Sequence, residues 1–106
     1  MGDFLDSDPS IVEVTANNLH NYPNPFNPST NISFNLTEPS IVEMTIYNIK
    51  GQRIISFGKE HLSAGKHQKL WQGNDDTGSM VSSGLYFIKL EIDGNTIDSK
   101  KCLLLK

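Results

Sequence analysis

From Asn31 onward, apolar and polar residues alternate with a period of two. Ile32, Phe34 and Leu36 interleave with Asn31, Ser33 and Asn35, the pattern of a strand with one face in a core and the other in water. After a turn at Glu38-Pro39-Ser40, Val42, Met44 and Ile46 alternate in the same way with Glu43, Thr45 and Tyr47. Asn48-Ile49-Lys50-Gly51 reads as a tight connection in which Gly51 is free to take positive φ. Arg53 to Phe57 predicts a third strand, residues 58–66 a loop punctuated by Gly58 and Gly65, and His67 to Gln72 a fourth strand. Gly73 to Gly84 is a long polar turn. Leu85 to Ile92 gives the strongest strand pattern, with Tyr86, Ile88 and Leu90 on one face. Asp93-Gly94-Asn95 signals a hairpin, and Thr96 to Leu105 closes the chain with Cys102 and Leu104 on one face. No segment of twelve residues keeps a 3.6 period, so no helix longer than a turn is expected.

Six or seven short strands with regular turns predict an all-β fold. An immunoglobulin-like Greek-key β-sandwich of about seven strands comes first and a small barrel second. The expected core is Ile32, Phe34, Leu36, Val42, Met44, Ile46, Trp71, Tyr86, Ile88, Leu90 and Leu104.

The beginning of the chain differs from the rest. Residues 1–18 read as a linker, acidic and polar, with a short apolar stretch at Ile11-Val12 and Val14 and room for one short added strand. Met1-Gly2 looks like an added start. The folded unit is expected over 19–106. It opens on Tyr22-Pro23-Asn24-Pro25-Phe26-Asn27-Pro28, whose prolines exclude a helix or a central strand and favour extended, polyproline-like backbone. Proline donates nothing to a ladder, so Tyr22 and Phe26 are expected to anchor this segment to the sandwich.

Composition narrows the function. A chain of 106 residues with 37% hydrophobic residues makes one small domain, too small for a large enclosed catalytic cleft. The net charge of −3 argues against a nucleic-acid partner, because phosphate binding wants a basic face. No run approaches a membrane-spanning length, so no transmembrane segment is expected. The first twenty residues hold Asp3, Asp6, Asp8 and Glu13 and no Lys or Arg, the wrong charge for a signal peptide. A secreted protein would have lost its signal, or the chain is a piece of a longer one.

Candidate chemistry is sparse. Asp75 and Asp76, in Asn74-Asp75-Asp76-Thr77-Gly78-Ser79, offer carboxylates to a calcium ion, but the spacing of a calcium loop is missing. The reading preferred for them is a turn whose carboxylates bind nearby N–H groups. His20, His61 and His67 are scattered, with no metal-ligand spacing. Cys102, the single cysteine, sits in an apolar run and reads as a small buried hydrophobe. Asn31-Ile32-Ser33 and Asn35-Leu36-Thr37 match the glycosylation pattern but lie inside a strand. Tyr22, Phe26, Tyr47, Trp71, Tyr86 and Phe87 suit either a carbohydrate platform or, for Trp71 above all, the core. No nucleophile–base pair, metal set or phosphate cradle appears, so no enzyme, catalytic residue or cofactor is expected.

Five segments in order carry a resemblance: Asn21 to Thr30; Ile46-Tyr47-Asn48-Ile49-Lys50-Gly51-Gln52; Leu62 to His67 leading into Trp71-Gln72-Gly73-Asn74-Asp75-Asp76-Thr77-Gly78; Ser83-Gly84-Leu85-Tyr86-Phe87; and Lys100 to Lys106. Together they resemble the type A C-terminal sorting domains of the type IX (Por) secretion system. The later segments are also similar to the immunoglobulin-like domain of the flagellar hook-capping protein. Two positions depart from the pattern: Lys69, where a β-branched residue is usual, and Cys102, where Met or similar is usual.

The resemblance implies an address at the C-terminus of a larger cargo in the same polypeptide. It would be read by an outer-membrane translocon and its sorting and cleavage machinery after passage through the periplasm. The protein would then be secreted or held at the cell surface. The motif residues carried over are Tyr22, Pro23, Asn24, Pro25, Phe26, Asn27, Pro28, Gly51, Trp71, Gly73, Gly84 and Tyr86. Partner recognition is expected at Lys100, Lys101, Leu103, Leu105 and Lys106, a basic and apolar tail suited to an acidic, partly apolar groove. The same lysines also suit protection of an edge strand. The rival readings are a cell-surface attachment or structural module, and a carbohydrate-binding sandwich appended to an enzyme.

Overall fold

The computed structural model describes residues 16–106; the linker reading of residues 1–15, with Ile11, Val12 and Val14, lies outside the described residues. Seven strands form: β1 (Ala16–Tyr22), β2 (Thr30–Leu36), β3 (Ser40–Asn48), β4 (Arg53–Leu62), β5 (Gly65–Trp71), β6 (Gly84–Ile92) and β7 (Asn95–Leu104). They pair antiparallel into a three-stranded sheet, β1-β2-β5, and a four-stranded sheet, β4-β3-β6-β7. The connections β2–β3, β4–β5 and β5–β6 pass from one sheet to the other, giving the immunoglobulin-like sandwich. Every residue expected in the core is buried, and Ala16, Leu19, Phe26, Ile92 and Cys102 join them. The alternation on β2, β3 and β6 dictates this, because a period of two sends one residue in two between the sheets. Each large side chain buried there stabilises by about 1.5–3 kcal/mol.

The hairpin between β6 and β7 turns on Asp93 and Gly94, both at positive φ (50° and 86°), the geometry that matches the twist of the flanking strands. Its position against β3 is fixed by Asp93: its amide donates to Ile41 O at 2.9 Å, and its Oδ1 accepts from Ile41 N at 3.0 Å.

Three expectations need correction. Residues 58–66 are not a loop: β4 runs on to Leu62, β5 starts at Gly65, and only Ser63 and Ala64 connect them. Gly58 marks a bulge instead of an end. It has φ of 80° where the β3–β4 register shifts between Glu43 and Thr45. Tyr22 does not anchor the proline segment. It pairs with exposed Asn31 on the outer face of the three-stranded sheet and is 76% exposed, leaving Phe26 as the anchor. The segment itself runs through bends, not as extended polyproline-like backbone, and the peptide bonds before Pro23, Pro25 and Pro28 are cis.

Lys69 settles into the seam between the sheets. Its Nζ donates to Glu60 Oε1 at 2.6 Å and also meets Oε2, joining β5 to β4. An ion pair thus closes the seam at this position.

Candidate partner-recognition site

The end of β7 is held along both of its edges. On one side β6 pairs it, Gly84 with Leu104, Leu85 with Leu103 and Tyr86 with Cys102. On the other lies the proline segment. Phe26 N donates to Leu103 O at 2.9 Å, and Leu105 N donates to Phe26 O at 3.0 Å, a single parallel bridge between Phe26 and Leu104. Pro25 has no N–H to contribute, and Asn24 supplies the missing pairing through its side chain. Its Oδ1 accepts from Leu103 N at 3.1 Å and its Nδ2 donates to Lys101 O at 3.3 Å. Thr30 Oγ1 donates to Pro23 O at 2.8 Å and accepts from Asn21 Nδ2 at 3.2 Å, fixing the start of the segment.

Beneath this bridge the motif residues converge. Phe26 and Trp71 rings lie 5.2 Å apart, and Tyr86 meets Trp71 edge-on at 5.3 Å. Their polar atoms are satisfied locally: Trp71 Nε1 donates to Asn74 O at 2.8 Å, and Tyr86 Oη donates to Ser82 O at 2.6 Å, a tyrosine corner at the start of β6. Gly73 has φ of 72°, and a Cβ there would sit 3.1 Å from Pro28 O. Glycine therefore lets the turn after Trp71 press against the proline segment. Gly84 opens β6 opposite Leu104, and Gly51 closes the β3–β4 turn by donating to Asn48 O at 3.0 Å.

The tail side chains divide by strand parity. Cys102 and Leu104 face the core. Lys101, Leu103 and Leu105 take the opposite, outer face, where Leu103 is half-buried and Leu105 is 49% exposed. Lys101 continues a cross-strand row with Phe87 and Tyr47. Lys100 has the other parity and lies level with Ile88. Lys106 follows the strand, its amide donating to Ser83 Oγ at 3.0 Å.

Next to the tail is a cleft of about 430 Å³ between the β3–β4 turn and the segment leading into β6. Ile49, Met80, Val81 and Leu85 are among its lining residues. Sequence reasoning did not single out this cleft. Its signal was slight: an isoleucine in a turn otherwise made of Asn, Lys and Gly.

The remaining candidates have local duties. Asp75 Oδ1 accepts from Thr77 N (2.9 Å), Thr77 Oγ1 (2.6 Å) and Ser79 N (3.0 Å). The Thr77 hydroxyl, aided by loop N–H groups, holds its carboxyl below the usual carboxylate range. Asp76 fastens the loop to β4: its Oδ2 receives Arg53 Nε at 3.0 Å and its Oδ1 Ser56 N at 3.1 Å. His67 Nε2 donates to Ser63 O at 2.7 Å and His20 Nδ1 to Asn18 O at 2.8 Å. Among the described residues no three His, Cys, Asp or Glu side chains gather around one point.

Residues 20–104 match the family model described as the secretion system C-terminal sorting domain. No curated protein matches the chain. Among solved structures, dimeric latent PorU from Porphyromonas gingivalis is similar, with a TM-score of 0.72 at 17% identity over 85% of this chain. FLGD from P. aeruginosa gives 0.57 at 27% identity over 71% of this chain, and the alkylpurine DNA glycosylase AlkC from Pseudomonas fluorescens 0.57 at 15% over 87%. This chain spans 9% of PorU, 60% of FLGD and 30% of AlkC.

Proposed function

The chain belongs to the secretion system C-terminal sorting domains, and from that premise we propose how it is used: as the terminal address of a larger cargo, read through the outer face of its last strand. A domain of this family is the sorting signal of type IX secretion, and the family is not itself catalytic. The cargo precedes the domain in the same polypeptide, and the outer-membrane translocon with its sorting and cleavage machinery is the partner. The destination is the medium or the cell surface. The division into a tether and a sorting unit belongs to the same proposal, since all five motifs fall in the second part, but its boundary moves from residue 18 to before Ala16, which opens β1 and is buried in the core.

The observation that carries the reading is the bridge from Asn24 and Phe26 to Leu103 and Leu105. The opening motif and the tail are one structure, and it presents Lys101, Leu103 and Leu105 on a fixed face, with Lys106 tied to Ser83 and Lys100 on the other side of the strand. A basic and apolar face of this kind complements an acidic, partly apolar groove.

The test is export. The 106-residue chain, fused behind an inert periplasmic cargo, is placed in a bacterium with a working type IX system. Cargo should appear in the medium or on the cell surface and should stay in the periplasm without the domain. Retention of the intact fusion in the periplasm would reject the sorting role and favour a surface-attachment module.

A further inference from the structure

Two apolar side chains at the cleft beside the tail are exposed without a folding reason. Ile49 is 69% exposed and Met80 53%. The β3–β4 turn that carries Ile49 is held by Asn48 instead: its Oδ1 accepts from Lys50 N at 2.9 Å and Gln52 N at 3.0 Å, and its Nδ2 donates to Gln52 Oε1 at 2.8 Å. The cleft is therefore preformed, and its lips are free to meet a partner.

It is also continuous with the tail. Leu85, in its wall, pairs directly with Leu103 across the β6–β7 ladder, and Ser83, also in its lining, binds the Lys106 amide. The lining carries one cation and one anion in different situations. Lys50 is exposed and, among the described residues, in no ion pair, whereas the Asp75 carboxylate takes hydrogen bonds from Thr77 and Ser79 of its own loop. Lys106, also exposed and in no ion pair among the described residues, is tied by its amide to Ser83 at the edge of the cleft.

We propose that this cleft is a second part of the recognition surface, taking an apolar side chain from a segment of the secretion machinery that carries Asp or Glu beside it. The proposal rests on the sorting reading above. The apolar walls receive the side chain, and Lys50 and Lys106 receive the flanking carboxylates.

Export of the same fusion tests it, with two unrelated inert cargoes and four paired variants: Ile49→Asp/Met80→Asp, the milder Ile49→Ser/Met80→Ser, Lys50→Glu/Lys106→Glu and Lys50→Gln/Lys106→Gln. Each variant is purified, and its thermal midpoint is compared with that of the parent. The aspartate pair should lower exported cargo at least about tenfold, the factor that loss of one well-buried apolar side chain brings to an affinity. The serine pair should lower it less, and charge reversal more than neutralisation. Should the aspartate pair misfold, the serine pair decides. Unchanged export in folded cleft variants, with the parent exported, overturns the cleft and leaves the sorting reading standing. No export of the parent overturns both. Charge reversal without effect overturns the acidic partner. Loss with only one cargo assigns the cleft to that cargo. A concentration-dependent dimer in sedimentation, abolished by the aspartate pair, assigns it to a second copy. Either result overturns the proposal.

Discussion

Cys102 shows how one residue's chemistry follows from its place. It faces the core from β7, opposite Tyr86, and burial pushes its thiol up from 9.0 to about 12. The folded protein therefore holds this proton over a range in which the unfolded chain has lost it. The sign follows from linkage. The unfolded state binds fewer protons between pH 9.0 and about 12, so stability falls as pH rises through that window, and the thiol contributes no slope below it. Comparison with Cys102→Ala isolates the contribution of the thiol. Urea unfolding from pH 8 to 11, roughly spanning the ordinary thiol range, should give a steeper decline for the parent than for the variant. The cavity left by the substitution offsets the whole curve without changing its slope. Parallel curves would mean that the thiol ionises in the folded state as easily as in the unfolded chain. The same burial keeps the thiol unreactive, because the thiolate is the nucleophile.

Among the elements, the bridge between the proline segment and β7 has the most to explain. Two hydrogen bonds come from Asn24 and two from the Phe26 backbone. Asn24→Ala removes the first two and leaves the amide of Leu103 and the carbonyl of Lys101 to water. A loss of about 1–3 kcal/mol is expected at roughly 0.5–1.5 kcal/mol per bond. Hydrogen exchange should locate it: the amides of Leu103 and Leu105 should lose protection, whereas that of Ile88, in the middle of the sheet, should keep it until global unfolding. Equal loss at all three would show that the segment has no separate role in holding the tail. Little of this bridge was legible in the sequence. Alternation exposes which residues face inward, so β2, β3 and β6 and the whole expected core could be read directly. Which distant segment covers a strand's edge leaves no periodic trace, and a carboxamide standing in for a backbone pair looks like any asparagine. Tyr22 and Phe26 looked equivalent for the same reason. Only the pairing of Tyr22 with Asn31, and of Phe26 with Leu104, separates an outward ring from a buried one. Gly58 misled in another way, because a bulge and a strand end both call for glycine.

For the molecule as a whole, the two sheets present unlike surfaces. On the outer face of the three-stranded sheet, cross-strand rows set Tyr22, Asn31 and Leu70 together, then His20, Ser33 and Gln68, a largely neutral and hydrogen-bonding surface. On the four-stranded sheet, Tyr47, Phe87 and Lys101 share one row and Leu85 and Leu103 the next, beside the cleft that Ile49 and Met80 border. Only the second surface combines apolar area, cations and the tail, so recognition should be confined to it. Lys100 and Lys101 make the sharpest comparison: they are neighbours in sequence and equal in charge, and strand parity sends them to opposite faces. If the tail acts through net charge alone, Lys100→Glu and Lys101→Glu should reduce export of the fused cargo equally, and the charge-conserving Lys101→Arg should leave it unchanged. If the outer face is read, Lys101→Glu should reduce export strongly and Lys100→Glu only slightly. Ser33→Lys, on the opposite sheet, should change nothing. Fold is monitored by the fluorescence of Trp71, which is buried between Phe26 and Tyr86 and reports any loosening of the tail's support. Equal losses for the two glutamate variants with Trp71 emission unchanged would return the lysines to a general electrostatic role. A loss for Ser33→Lys as large as for Lys101→Glu would move the recognition surface to the other sheet.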